Sequence, residues 1–167
     1  MKQKKKILAF CLLSLLFIGC DQVTKNLARI HLQNREPRSY FHDTLRFLYT
    51  QNTGAFLSFG SDWPPLTAFF VFTILPLCFL SALLLYAIRK SGESSYPFII
   101  ALGLVFSGGT GNLIDRLLFN KQVTDFMYIG IGELKTGIFN VADLCITMGV
   151  LLFLVVSIPG KMRPRGD

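Results

Sequence analysis

The chain has 167 residues, of which 51% are hydrophobic and 16% are charged, and its net charge is +7. The mean hydropathy of +0.49 exceeds what a water-soluble domain carries and predicts a single integral-membrane domain over residues 1–167. The basic residues cluster beside apolar runs. This distribution indicates a membrane topology signal and argues against a nucleic-acid-binding surface.

Four apolar runs divide the chain, and each is predicted to form a membrane-spanning helix. A helix needs about 20 residues to cross a bilayer. The predicted spans cover about residues 7–28, 66–88, 96–115 and 138–158. We therefore expect an all-α membrane protein with four transmembrane helices.

Basic residues mark one side of this arrangement. They precede the first span, lie between the second and third, and follow the fourth. The residues are Lys2, Lys4, Lys5, Lys6, Arg89, Lys90, Lys161, Arg163 and Arg165. Four spans place all three groups on one side, which the positive-inside rule assigns to the cytoplasm. Both termini are then cytoplasmic, and the two longer loops, about 30–65 and 117–137, face the outer side.

The first outer loop carries a short β pattern. Residues 45–50 alternate in polarity, residues 52–54 (Asn-Thr-Gly) have turn chemistry, and residues 55–59 form the predicted return strand. We expect a small β-hairpin in this loop. Because a two-stranded hairpin is only marginally stable in water, it should rest on the membrane surface or on the helices.

Polar residues that are unusual for membrane helices lie at the outer ends of the spans. Asp21 and Lys25 are four residues apart and share a helix face. A carboxylate at a helix centre in a bilayer costs about 2.5–3.5 kcal/mol on insertion scales and normally marks a functional site. The other such residues are Asn112, Asp115 and Arg116 at the end of the third span, Asp125 in the loop before the fourth, and Asn140 and Asp143 at its start. A packed bundle would direct all of them at one cleft.

Structural roles are also open for these residues. The two oppositely charged pairs, four apart on the first span and adjacent on the third, can be ordinary ion pairs at helix ends. Asn140 can be the N-cap of the fourth span, and Asp143 is favourable near the positive end of that helix.

Asp125 and Asp143 are the candidates for catalysis. Two close carboxylates cannot both ionise, so one holds a proton while the other acts as a base toward water. Such a pair hydrolyses an amide bond without a metal or a covalent intermediate. The chain has no His-Glu-x-x-His motif, so among the chemistries that cut a peptide bond the aspartic one is best supported, and we expect no metal and no other cofactor.

Five motifs resemble those of lipoprotein signal peptidase, the bacterial type II signal peptidase family. The motifs are Asp-Gln-Val-Thr-Lys at 21–25, Asn-Thr-Gly-Ala-Phe at 52–56, Gly-Gly-Thr-Gly-Asn-Leu-Ile-Asp-Arg at 108–116, Val-Thr-Asp-Phe at 123–126 and Phe-Asn-Val-Ala-Asp at 139–143. They occur in the family's order over nearly the whole chain, which makes the resemblance specific.

The resemblance implies a membrane aspartic endopeptidase whose catalytic pair would be Asp125 and Asp143. Its substrates would be diacylglyceryl-modified prolipoproteins, cut before the lipobox Cys in the bacterial cytoplasmic (inner) membrane, with the active site on the outer side. Membrane lipid would be the other partner, no nucleic acid would bind, and we expect a monomer. The residues implied to bind substrate or support the pocket are Asp21, Lys25, Asn52, Gly54, Asn112, Asp115, Arg116, Asn140 and Ala142.

Two other functions fit parts of the sequence. The basic residues 2–6, the apolar stretch 7–19 and Cys20 together resemble a secretory signal with a lipobox, so the chain could itself be a lipoprotein precursor cleaved before Cys20. Against this, Phe17 stands where a lipobox prefers Leu, and cleavage would remove a predicted span. A transporter or proton channel also uses intramembrane carboxylates, but it would hold them near the middle of the bilayer.

Overall fold

Apolar helices and one small antiparallel sheet make up the protein, as the sequence predicts. The computed structural model describes residues 2–55 and 59–158. The helices are α1 (Lys2–Leu32), α2 (Pro65–Lys90), α3 (Tyr96–Leu118) and α4 (Val141–Ser157). The strands are β1 (Arg38–Tyr40), β2 (Leu45–Asn52), β3 (Val123–Ile131) and β4 (Leu134–Lys135).

Within residues 2–55 and 59–158, three helices are long and apolar enough to cross a membrane. They are α1 with 31 residues, α2 with 26 and α3 with 23. The described part of α4 is apolar but has 17 residues, so the fourth span stays a prediction. Large apolar side chains such as Leu15, Phe79 and Leu151 are exposed on the outer faces of the helices. Exposure on this scale indicates surfaces that lipid covers.

The ends of two helices differ from the predicted spans. α1 runs from Lys2 to Leu32, beyond both ends of the predicted span 7–28. α4 begins at Val141 rather than at 138, because Phe139 forms a β-bridge with Met127. Asn140 then adopts an extended backbone as the N-cap of the helix.

A π-helical turn at Phe70–Ile74 interrupts α2. Pro76 has no backbone N–H and cannot complete the regular α-helical ladder, and a wider turn just before it relieves this conflict. Phe72 lies in the π turn, is buried, and stacks on Trp63 with ring centroids 5.5 Å apart. The irregular segment forms one wall of the cavity described below.

The sheet is built from both outer loops, in the order β1-β2-β3-β4. β2 pairs with β1 along one edge and with β3 along the other. The strand that pairs with β2 over Leu45–Asn52 is β3 from the second outer loop; the predicted return strand at 55–59 stays a prediction, because residues 56–58, including Phe56, lie outside the described residues. The predicted turn is confirmed, since the Gly54 N–H donates to Asn52 Oδ1 at 2.9 Å.

The register between β2 and β3 determines the position of Asp125. Thr50 lies opposite Asp125, and Asn52 lies opposite Val123. Asp125 is thus on a strand, not in a loop as predicted, and only 3% of it is exposed. Diagonal neighbours across a sheet are within side-chain reach, and this places the Asn52 side chain beside the Asp125 carboxylate.

Two glycines allow α3 to pack closely against its neighbours. A Cβ atom at Gly108 would lie 2.3 Å from the Ala142 carbonyl oxygen, and one at Gly111 would lie 2.5 Å from Asp21 Oδ2. Neither distance leaves room for a methyl group. Glycine at these positions brings the first turn of α4 and the outer half of α1 into direct contact with α3.

We expect Gly108→Ala to destabilise the protein, because the atom that the methyl group meets is backbone and cannot rotate away. Overpacking of this kind costs about 1–3 kcal/mol. The apparent melting temperature in detergent measures the effect. Gly19→Ala is the matched control, since a Cβ there meets nothing within 4 Å. Equal melting temperatures for the two variants would contradict the close α3–α4 packing.

Candidate active site

Asp125 and Asp143 line the same cavity, which has a volume of about 470 Å³. Asp125 reaches it from β3 and Asp143 from the first turn of α4. The walls come from α2, α3, α4 and the sheet. The other lining residues are Asn52, Ala55, Phe72, Pro76, Gly109, Asn112, Arg116, Val123, Ile138, Ile146 and Thr147. The two predicted catalytic residues are thus brought together where the sheet meets the helices.

The Asp125 carboxylate is buried and bound by two side-chain amides. Asn52 Nδ2 donates to Asp125 Oδ2 at 3.0 Å, and Asn140 Nδ2 donates to Asp125 Oδ1 at 2.6 Å. Burial, followed by the negative charge of Asp143, raises the pKa of Asp125 to about 6, although the two amide hydrogen bonds act in the opposite direction. Asp125 therefore retains a proton at a higher pH than an ordinary aspartate.

Asp143 is held by the start of α4. Its Oδ2 accepts from the Asn140 N–H at 3.0 Å, and its own N–H donates to Asn140 Oδ1 at 2.9 Å. This reciprocal pair is a capping box, so the interpretation of Asn140 as an N-cap is confirmed. The same Asn140 amide binds Asp125 through its nitrogen. A structural role and a place in the site therefore coexist in one residue.

Asn112 connects Asp143 to α1. Its Nδ2 donates to Asp143 Oδ1 at 2.9 Å, and its Oδ1 accepts from Lys25 Nζ at 2.9 Å and from Asn140 Nδ2 at 3.2 Å. Because the lysine and Asn140 can only donate here, the orientation of the Asn112 amide is fixed. Its nitrogen must then point at Asp143.

A buried ion cluster lies behind the two aspartates. Lys25 Nζ is 2.8 Å from Asp21 Oδ2 and 3.7 Å from Asp115 Oδ2, and each of these residues is at most 1% exposed. The predicted Asp21–Lys25 pair is confirmed. Asp115 binds Lys25 and Arg29, not Arg116, so the predicted pairing of the adjacent residues is wrong.

Asp21 also binds the backbone next to Asp143. Its Oδ1 accepts from the Ala142 N–H at 2.8 Å. Ala142 is fully buried, and its carbonyl oxygen lies against Gly108. Ala142 therefore takes part through its backbone and its small size, consistent with its place among the predicted residues.

Arg116 lines the cavity and binds the backbone of Gly54. Arg116 Nη2 donates to the Gly54 carbonyl oxygen at 2.8 Å. The Arg116 Nε is buried and has no hydrogen-bond partner within residues 2–55 and 59–158. Since a buried donor is normally satisfied, this N–H is available to an acceptor that enters the cavity.

Sequence reasoning missed three residues of this network. Gln22 Nε2 donates to Asp115 Oδ1 at 3.2 Å, and Arg29 binds both Asp115 and Thr124. The helical period could have identified Arg29, which follows Lys25 by four residues on the same face of α1. The predicted end of the first span at residue 28 concealed it.

Two further cavities adjoin the aspartates. One of about 430 Å³ follows the sheet and includes Asp125 and Tyr128. The other, of about 510 Å³, lies beside α4 and includes Asp143, Phe139 and Leu144. The site is thus open both along the sheet and toward the apolar outer face of α4.

Comparisons with known proteins agree with the motifs. A family model described as "Signal peptidase (SPase) II" matches residues 13–159. The chain is 33% identical to a lipoprotein signal peptidase of Syntrophus aciditrophicus (strain SB), over 97% of this chain and 99% of that protein. It is 37% identical to a lipoprotein signal peptidase of Chlorobium phaeobacteroides (strain BS1), over 87% and 93% of the two chains.

Two solved structures share the fold, and each is described as a bacterial membrane enzyme determined by the in meso method. The one at 2.3 Å resolution has a TM-score of 0.77 and 26% identity, covering 95% of this chain and 94% of its own. The one at 1.9 Å has a TM-score of 0.76 and 28% identity, covering 92% and 94%.

Proposed function

This chain belongs to the signal peptidase II family, and we propose that it is an aspartic endopeptidase that removes signal peptides from diacylglyceryl-modified prolipoproteins. The cut would fall before the lipobox Cys. The observation that carries the proposal is the shared cavity of Asp125 and Asp143, in which Asn112 and Asn140 bind the carboxylates. Its position where outer loops meet apolar helices suits a substrate with a membrane anchor.

In the proposed reaction the two aspartates have different tasks. Asp125 takes up a proton more readily than an ordinary aspartate because its pKa is raised to about 6, whereas Asp143 lies at the N-terminus of α4, where the helix dipole favours negative charge. Asp143 would take a proton from water as the new C–O bond forms, and Asp125 would protonate the substrate carbonyl oxygen. Asp143 then passes its proton to the amide nitrogen, the C–N bond breaks, and the new hydroxyl proton returns to Asp125 as the carbonyl group reforms.

Arg116 would hold the substrate main chain. Its Nη2 is engaged with Gly54, but its Nε lacks a partner within the described part of the chain. A peptide carbonyl entering the cavity would satisfy that donor. The absence of a side chain at Gly54 would let the peptide backbone approach.

We place the protein in the bacterial cytoplasmic (inner) membrane as a monomer, with the site on the outer side. Lys6, Arg89 and Lys90 lie at the ends of the helices opposite the aspartates, and Lys6 Nζ donates to the Ser94 carbonyl oxygen at 2.6 Å. The positive-inside rule makes that end cytoplasmic. The remaining basic residues of the prediction, 161–165, lie outside the described residues.

The two alternative functions receive less support. α1 continues as an unbroken helix through Cys20, and the following Asp21 is buried in the ion cluster; a precursor cleaved before Cys20 would lose this helix. A transporter would hold its carboxylates at mid-bilayer, whereas Asp125 and Asp143 lie where the sheet meets the helices. An intact mass lacking residues 1–19, with added lipid, would favour the precursor.

The decisive experiment incubates the purified protein in detergent with a diacylglyceryl-modified prolipoprotein, with and without EDTA. We expect cleavage before the modified Cys at the same rate in both, because the proposed chemistry uses only carboxylates. Mass spectrometry of both products locates the cut. Loss of activity on chelation, restored by zinc, would redirect the search to the two histidines of the chain, His31 and His42. No cleavage under either condition would refute the peptidase proposal.

A pH prediction follows from the environment of Asp125. If Asp125 must be protonated, kcat/KM falls as pH rises through about 6 in the free enzyme. The Asn52 hydrogen bond favours the ionised carboxylate, so Asn52→Ala should raise the pKa of Asp125 and move this fall to higher pH. Gln51→Ala, an exposed change on the same strand, is the control. A shift to lower pH would contradict the assignment.

A further inference from the structure

Arg29, at the outer end of α1, binds two residues beside the strand that carries Asp125. Its Nη2 donates to Asp115 Oδ2 at 3.0 Å and to Thr124 Oγ1 at 2.9 Å, and its Nε donates to Thr124 Oγ1 at 3.1 Å. The guanidinium carbon lies 3.8 Å from the centroid of the Phe119 ring. Only 16% of the side chain is exposed, because it extends from α1 and packs against α3 and β3.

Asp115 completes the contact with the same residue of β3. Its Oδ2 accepts from the Thr124 backbone N–H at 2.9 Å. Arg29 and Asp115 therefore bind Thr124 through both its side chain and its main chain. Thr124 directly precedes Asp125, and a planar peptide bond connects them, so few torsions separate the bound atoms from the Asp125 carboxylate.

Asp143 is anchored in a parallel way. Asp21, two helical turns before Arg29 on α1, accepts from the N–H of Ala142, the residue that directly precedes Asp143. One face of α1 thus contacts the residue before each aspartate of the pair. Both aspartates are therefore connected to the same helix through the residue that precedes them.

The cluster behind the aspartates is also balanced in charge. Asp21 and Asp115 carry two negative charges, and Lys25 and Arg29 carry two positive ones. Removal of the Arg29 charge leaves Asp115 incompletely neutralised, and Asp115 is bound to Thr124, the residue directly before Asp125. The nearby negative charge then disfavours ionisation of Asp125.

Other groups that face Asp125 keep their charges when Arg29 is changed. They are Asp143 from α4, Lys25 from α1 and Arg116 from α3, together with the neutral amides of Asn52 and Asn140. A change in the pH profile on substitution of Arg29 can therefore be assigned to the Arg29–Asp115 contact.

We propose that Arg29 is a positioning residue for Asp125: by joining Asp115 and Thr124 to α1, it fixes the carboxylate at its place opposite Asp143. The inference rests on the proposed function. Arg29 does not line the 470 Å³ cavity, so we expect it not to touch the substrate. Its effect should therefore fall on kcat and on the pH profile, and not on KM.

The test compares four variants with the full-length enzyme on the lipid-modified precursor. Arg29→Gln should lower kcat by about 10², the order expected for misplacement of about 1 Å, leave KM unchanged, and move the alkaline fall of kcat/KM to higher pH. Arg29→Lys keeps the charge, so the pH profile should be retained while kcat falls less. Thr124→Val keeps every charge and should lower kcat alone. Arg35→Gln, an exposed change just beyond α1, is the control.

Each outcome decides the proposal. Rates are taken per folded molecule, measured by the detergent elution profile and melting temperature. Wild-type kcat and pH profile in folded Arg29→Gln overturn the positioning role. If Arg29→Gln does not fold, Thr124→Val decides, and undiminished kcat there overturns it. Failure of the proposed function is distinguishable, because the wild type would then not cleave or Asp125→Asn would remain active.

Discussion

Asp125→Asn and Asp143→Asn are each expected to abolish cleavage while leaving the protein folded and inserted. An asparagine can neither hold the shared proton nor accept one from water. General acid–base catalysis contributes about 10²–10⁴ in rate, and the loss of either partner disables both steps of the reaction. Single-turnover cleavage of the lipid-modified precursor measures the effect.

The surroundings of the two aspartates set the controls for that experiment. In Asp125→Asn the new NH₂ group faces the NH₂ group of either Asn52 or Asn140, and two donors cannot bind each other. We therefore expect the side chains to rearrange locally while the fold is unchanged. Asp62→Asn alters an exposed carboxylate in the first outer loop and should retain full activity. Activity above about a tenth of wild type in either active-site variant would remove that residue from the catalytic pair.

The helices and the polar ends of the spans could be predicted from sequence because both signals are local. Hydropathy over about 20 residues identifies a span, and a spacing of four placed Asp21 against Lys25. The sheet could not be predicted in the same way. Its central contact joins Thr50 to Asp125, and the register of two strands so distant in sequence depends on tertiary packing.

The partners of Asp115 show where a local pattern misleads. Adjacent residues on a helix point in different directions, so Asp115 and Arg116 were never suited to pair. Asp115 faces α1 and binds Lys25 and Arg29, while Arg116 turns to the cavity and binds Gly54. The helical period indicates that the two residues face different sides of α3, whereas their adjacency in the sequence suggests a pair that does not form.

The lipid on the substrate is expected to be required for cleavage. The 510 Å³ cavity connects Asp143 with the exposed outer face of α4 at Leu144 and Thr147, which offers a lateral path from the bilayer. Each buried methylene of an acyl chain contributes about 0.8 kcal/mol to membrane retention. Two acyl chains on the Cys would therefore fix its depth level with the aspartates. An unmodified precursor keeps its apolar signal helix but lacks this second anchor.

We therefore expect the unmodified precursor to be cut slower by about 10², the order that misplacement of about 1 Å produces. Both precursors are compared at equal concentration in the same membranes, so that partitioning cannot account for a difference. Leu144→Gln should reduce the difference in cleavage rate between the two precursors, because it slows only the cleavage of the modified one. Leu134→Gln, an exposed change on β4, should leave that difference unchanged. Equal rates for the two precursors would mean that the peptide alone is recognised. The lateral path beside α4 would then have no part in binding, and the substrate would have to approach along the sheet.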